Sequence, residues 1–207
     1  MAKQIQTVGR LLGREVHAII PIIGAIVFIY IPLFFYLLEF PAVFPVYGDG
    51  QYYVAVADNI ISQGIFSGST EAPFVPATFV MPLYPFLLAL WKGVFGSFVF
   101  FPLVQMVLAG ATSFFIYRIG EKVFSKRVGI VASLLYILDP ATIFHSLIIM
   151  TDVPYVFLLV LGVYLLFVKS DSDEPLTAFF SGAVFGLAML TRVISMFLPI
   201  LIVPMFF

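Results

Sequence analysis

Cysteine is absent from the 207 residues, which excludes disulfides, thiolate nucleophiles and cysteine-based metal sites. Histidine is nearly as scarce. His17 and His145 are the only two, too few for a histidine metal cluster. Charge is thin as well: 10% of the residues are Asp, Glu, Lys or Arg, against about 25% in ordinary soluble domains. Ten basic and eleven acidic residues leave a net charge of -1, which gives nucleic acid nothing to bind. What fills the chain instead is apolar. Hydrophobic residues make up 62%, with 25 Phe and 10 Tyr, and the mean hydropathy is +1.14. A globule of this length cannot hide that much aromatic surface from water, whereas a bilayer solvates it. The sequence describes an integral membrane protein.

Apolar runs of about 20 residues cross a hydrocarbon core of about 30 Å at 1.5 Å per residue. Their layout predicts an all-α polytopic membrane protein, a single transmembrane domain over 1–207. Spans are expected at 19–38, 99–117, 128–145, 153–168 and 177–206. The last is interrupted by Thr191-Arg192 and by Pro199, so it is one broken helix or two short ones. Leu38-Glu39-Phe40-Pro41 offers no small-residue cleavage site, which argues against a signal peptide. Asp139-Pro140 predicts a kink in the third span. The chain stops at Pro204-Met205-Phe206-Phe207 inside an apolar run, and the expectation is a fragment, the N-terminal portion of a longer bundle.

A loop at 39–98 separates the first two spans. Its first part, 39–79, holds Asp49, Asp58 and Glu71, four prolines and four glycines, and no Lys or Arg. Tyr52, Tyr53, Val56, Ile60 and Ile61 recur at helical spacing before Gly64, which predicts an amphipathic helix lying on the membrane surface. A second short helix is expected from after Pro82 to about Val94, with Trp91 and Lys92 as interface anchors. Lys3, Arg10, Arg14, Arg118, Lys122, Lys126, Arg127 and Lys169 all fall on one side if the spans alternate. That side is the cytoplasm by the positive-inside rule, and it contains the N-terminus. Glu39, Asp49, Asp58, Glu71 and Asp152 fall on the other, so two separate loops assemble an acidic face outside the membrane.

Each of these charges has more than one reading. Asp49, between Gly48 and Gly50, is either the N-cap of the surface helix or a carboxylate that acts as general base or holds a divalent ion. The flanking glycines would let a substrate approach the backbone. Asp152 is a cap for the Val153 helix, with Pro154 in the first turn, or a functional group near membrane depth. Asp58 reads as a solvated residue on the polar side of the surface helix, and Glu71 as a mobile ligand or a bystander. Asp139 and His145 read as hydrogen-bonded within the bundle. Arg192 either snorkels to an interface or pairs with a lipid phosphate.

Four groups of residues carry a resemblance. The first is Gly48-Asp49-Gly50 with Tyr52-Tyr53, Ala57, Asn59-Ile60 and Gly64-Ile65-Phe66, followed by Pro82-Leu83-Tyr84-Pro85-Phe86-Leu87-Leu88-Ala89. The others are Ile119-Gly120-Glu121-Lys122-Val123-Phe124 with Arg127, then Thr151-Asp152-Val153-Pro154, then Gly186-Leu187-Ala188-Met189-Leu190-Thr191-Arg192. In this order and spacing the chain resembles the N-terminal part of the GT-C fold glycosyltransferases. These form the dolichyl-phosphate-mannose protein mannosyltransferase superfamily, which includes bacterial aminoarabinose and lipopolysaccharide-sugar transferases.

The resemblance implies an enzyme of the bacterial inner membrane that moves a sugar from a polyprenyl-phosphate or dolichyl-phosphate carrier to a lipid, glycan or protein acceptor. Transfer would take place on the non-cytoplasmic face, with inversion. It matches Asp49 to the essential acid of the first outer loop and Asp152 to a second catalytic acid. Arg192 matches a basic position that could contact the carrier phosphate, and Tyr52 and Tyr53 lie on a surface helix that would line the cavity where the lipid carrier and the acceptor meet. Some relatives bind a metal through a carboxylate just before the proline matching Pro82, and many carry Arg at the Met81 position. Phe79-Val80-Met81 provides neither, so a divalent metal stays open and no ligand is assigned. The competing readings are a transporter or lipid flippase, whose helices are also broken and sparsely charged, and a noncatalytic membrane fragment.

Overall fold

The computed structural model describes residues 16, 18–40, 44–169 and 175–197. Lys3, Arg10, Arg14, His17, Pro199 and the final apolar residues 198–207 lie outside the described residues.

Helix α1 (Ala18–Leu37) is long and apolar enough to cross a membrane. Pro32 has no N–H to donate, and the helix opens into a π turn at Ile26–Tyr30 just before it, where the Ile31 N–H reaches the Ile26 carbonyl. Helix α2 (Gly50–Gln63) and helix α3 (Leu83–Phe95) form the loop region between α1 and α4. Helix α4 (Phe101–Val123) is the second helix of spanning length. Ser125 starts helix α5 (Lys126–Ile137) as a true cap, its Oγ accepting the Val128 N–H at 3.3 Å. Helix α6 (Pro140–Leu147) follows at a bend of 51°, and together α5 and α6 are apolar enough for one bent span. Helix α7 (Asp152–Tyr164) continues through a π turn at Leu165–Lys169. Helix α8 (Pro175–Met189) breaks at Leu190–Arg192 before a 3₁₀ turn at Val193–Phe197. The protein is an all-α membrane bundle. The described residues contain no strand, only an isolated bridge between Ser67 and Pro76.

The bend shows how the bundle satisfies its own backbone. Pro140 interrupts the helical ladder, and the Ile137 carbonyl at the break accepts the buried Tyr30 hydroxyl of α1 at 2.8 Å. Asp139 does not reach back to the groups before the proline; its Oδ2 caps α6 instead, accepting the Thr142 N–H at 2.7 Å. Between helices in lipid such a side-chain bond contributes about 0.6–2 kcal/mol, the rest coming from close packing. Tyr30, Phe34, Met106, Ala109, Ile137 and Val153 supply that packing in one buried cluster.

A second cluster joins the loop helices to α4 through Ala57, Tyr84, Leu88, Phe101 and Ile149. Here two expectations change. Asp58 is not simply solvated, because Lys92 Nζ of α3 donates to it at 2.6 Å. Lys92 also lies over the Phe98 ring, and the Trp91 indole donates to the Ser97 carbonyl at 2.9 Å. Both expected membrane anchors are thus engaged in tying α2, α3 and the turn before α4 together.

Candidate functional site

Three stretches meet beside the Phe101 end of α4: Pro45 to Gly50, Ile148 to Asp152, and Leu190 to Arg192. The Ile149 N–H donates to the Pro45 carbonyl at 2.8 Å, and the Leu83 N–H that opens α3 donates to the Leu190 carbonyl at 3.0 Å. Gln105 locks the centre. It is fully buried in α4, accepts the Tyr84 hydroxyl at 2.9 Å, and donates to the carbonyls of His145, at 3.1 Å, and Ile148. Burial first, then the nearby Tyr53 and Asp152, hold the Tyr84 phenol well above its usual value, so it stays a neutral donor to Gln105. Gln105 was missed in the sequence, although a lone amide inside an apolar span is itself a signal.

Gly50 explains how Asp49 comes close to the Asp152 stretch. A Cβ at Gly50 would stand 2.5 Å from the Ile149 carbonyl oxygen, so only glycine lets α2 start against that backbone. The glycine therefore admits a neighbouring backbone segment of the protein itself, where the sequence suggested a substrate. Asp49 does not cap α2 with its side chain. Its backbone is already helical, at φ −60° and ψ −20°, and its carboxylate makes no capping bond. That carboxylate is exposed in a cleft of about 370 Å³ lined also by Tyr52, Tyr53, Phe79 and Val80.

Asp152 lies inside the first turn of α7, one residue past the N-cap Thr151. Its Oδ1 accepts a short hydrogen bond from Arg192 Nη1, forty residues away. Arg192 is thus held by a carboxylate of the protein itself, and its guanidinium also sits 5.8 Å from the centre of the Tyr155 ring. Arg192 and Tyr155 line a second cleft of about 420 Å³, together with Met81 and the 191–194 turn. Tyr53, Phe79 and Val80 form the common wall of both clefts. On the other side of Asp152 a small cavity of about 140 Å³ is lined by Tyr136, Asp139, Thr142 and His145.

The fold thus gathers Asp49, Tyr52, Tyr53 and Arg192 around two adjoining clefts, while Asp152 holds Arg192 and lines the small cavity beside them. Asp58 and Glu71 line neither. Among the described residues no three or more Asp, Glu or His side chains are grouped to hold a metal ion. Chemically, the arrangement offers a free carboxylate at one end, a carboxylate-held guanidinium at the other, and aromatic rings between them.

The family model described as dolichyl-phosphate-mannose-protein mannosyltransferase matches residues 73–207, about two thirds of the chain. The matched part includes Asp152 and Arg192 and begins after Asp49, Tyr52 and Tyr53. No curated protein and no solved structure matches the chain.

Proposed function

The chain belongs to the dolichyl-phosphate-mannose-protein mannosyltransferase family, a family of membrane glycosyltransferases, and from that premise we propose a division of labour between its two clefts. The donor is a sugar carried on a polyprenyl or dolichyl phosphate. Its phosphate sits in the cleft of Arg192, where the planar guanidinium matches a phosphate oxygen pair. Asp152 is the positioning residue that aims that guanidinium. The acceptor hydroxyl, on a lipid, glycan or protein, lies in the cleft of Asp49. Tyr53, on the wall common to both, stands beside the sugar as it passes.

The reaction is one displacement. Asp49 takes the proton from the acceptor hydroxyl as its oxygen attacks the anomeric carbon. The bond from that carbon to the carrier phosphate oxygen breaks, and its electron pair leaves on the phosphate. Arg192 offsets the charge that grows there. A single displacement inverts the anomeric centre. The clefts face the non-cytoplasmic side of the plasma membrane, the inner membrane in a bacterium, with the N-terminus in the cytoplasm.

The observation that supports this reading most is the pairing state of the two acids. Asp152 already accepts from Arg192, while Asp49 presents a carboxylate that does no capping work. The test is Asp49→Asn in membranes given labelled polyprenyl-phosphate sugar. General-base catalysis contributes about 10²–10⁴-fold, and a loss of that order in kcat at normal membrane insertion is expected. Parental activity in the variant would remove Asp49 from the role of base.

A further inference from the structure

The loop after α2 is built more firmly than a connection requires. Ser67 Oγ donates to the Val75 carbonyl at 2.6 Å, and the Val75 N–H donates to Ser69 Oγ at 3.2 Å. Asn59, on α2, reaches across to it. Its side-chain amide donates to the Ser67 carbonyl at 2.7 Å and to the Ser69 carbonyl at 2.8 Å, gripping the loop on either side of Gly68. Gly68 lies flat against the Tyr52 ring. A Cβ built there would overlap the Cε2 and Cζ atoms of Tyr52 and stand 2.8 Å from its hydroxyl oxygen. Tyr52 in turn shares the Asp49 cleft, and Asp49 and Tyr52 stand three residues apart on one helix face.

We propose that the Asn59 clamp and Gly68 together fix the position of the Tyr52 ring, and so make residues 67–69 the specificity-determining support of the acceptor cleft. The class of acceptor group this wall takes is a pyranose or similar sugar ring, whose apolar C–H face stacks on an aromatic ring while its hydroxyls reach the phenol and Asp49. The assignment rests on the proposed function for the acceptor's place, and on geometry alone for the control of Tyr52. Gly68 never touches the substrate. It acts as a positioning residue through a ring at the far end of a flexible side chain, which yields when crowded. Gly68→Ala should therefore fold and move the ring.

The absence of native cysteine supplies the measurement. Val80 lines both clefts, and the thiol of a V80C variant can be labelled with a maleimide without background. The concentration of n-octyl mannoside that half-protects this thiol reports binding in the cleft, independently of catalysis. Gly68→Ala should raise that concentration about tenfold, because the Tyr52 ring must move by about 1 Å or more to clear the added Cβ. It should raise the KM for the same glycoside in parallel and leave the donor KM unchanged. In a Tyr52→Ala background, Gly68→Ala should add nothing, because the overlap is gone. Gly93→Ala, where an added Cβ meets nothing within 4 Å, is the control.

An unchanged half-protecting concentration in Gly68→Ala overturns the inference. So does an effect of equal size in the Tyr52→Ala background. Transfer to n-octyl mannoside by the parent without any protection of the thiol overturns the acceptor wall and leaves the function standing. Protection that follows the expected pattern, with no transfer from polyprenyl-phosphate mannose, supports the wall and counts against the function.

Discussion

Two aspartates show how little a residue type decides without its backbone. Asp139 sits at φ −64° and ψ 125°, an extended conformation that turns its carboxylate back over the new helix, and it caps α6. Asp49 precedes a helix too, but in a helical conformation that denies its side chain the same reach. Asp49 was legible as a helix start and Asp139 only as part of a kink, yet it is Asp139 that caps. Asp152 is the third case, held by Arg192 instead of by its own helix. The pair is partly exposed, so its loss should cost no more than about 1 kcal/mol of stability. Asp152→Asn keeps an oxygen for Arg192 and loses the charge that aims it. The expected result is a near-parental unfolding temperature in detergent with a donor KM raised about tenfold, since weaker phosphate binding in the ground state raises KM. A fall in kcat at unchanged donor KM would instead assign Asp152 to the chemical step.

At the level of elements, the helices were easier to see than their junctions. The bend at Asp139-Pro140 follows from a missing N–H, a property written in one residue. The contact of α2 with the 149–152 stretch follows from a missing Cβ at Gly50 and from a carbonyl ninety-nine residues further on, which no local pattern relates. Gly50→Ala should push α2 from Ile149, because the obstacle is backbone and cannot rotate away. Overpacking of this kind costs about 1–3 kcal/mol. The unfolding temperature should fall, and transfer activity should fall more than the unfolded fraction accounts for, because Asp49 moves with the helix. Thermal unfolding and initial rates measured on the same membranes separate the two effects.

For the molecule as a whole, orientation is the property that periodicity and charge address most directly and that the packing of helices leaves open. The basic stretch from Arg118 to Arg127 spans the end of α4 far from the clefts and the start of α5, which is the separation that the positive-inside rule uses. Single cysteines at Thr70 and Phe124, both exposed, should therefore label from opposite sides. An impermeant maleimide added to intact cells should modify T70C directly and F124C only after permeabilisation. The reverse pattern would place the clefts in the cytoplasm and overturn the proposed face of transfer.

By itself the sequence determined that this chain lives in lipid, that it is helical, and which few charges merit attention. Those are consequences of composition and of short-range periodicity, and the bilayer enforces them because it tolerates no unpaired backbone. The family of membrane glycosyltransferases was legible too, in short motifs and their spacing. Only the tertiary structure decided how the charges are used. It joined Asp152 to Arg192, Asp58 to Lys92 and Tyr84 to Gln105 across separations of 40, 34 and 21 residues. It also left Asp49 exposed in a cleft beside them. A pair of this kind depends on how helices cross, and crossing is set by small contacts such as Gly50 on Ile149 and Gly68 on Tyr52. Their physics is steric and non-local, so it exists only once the chain has folded.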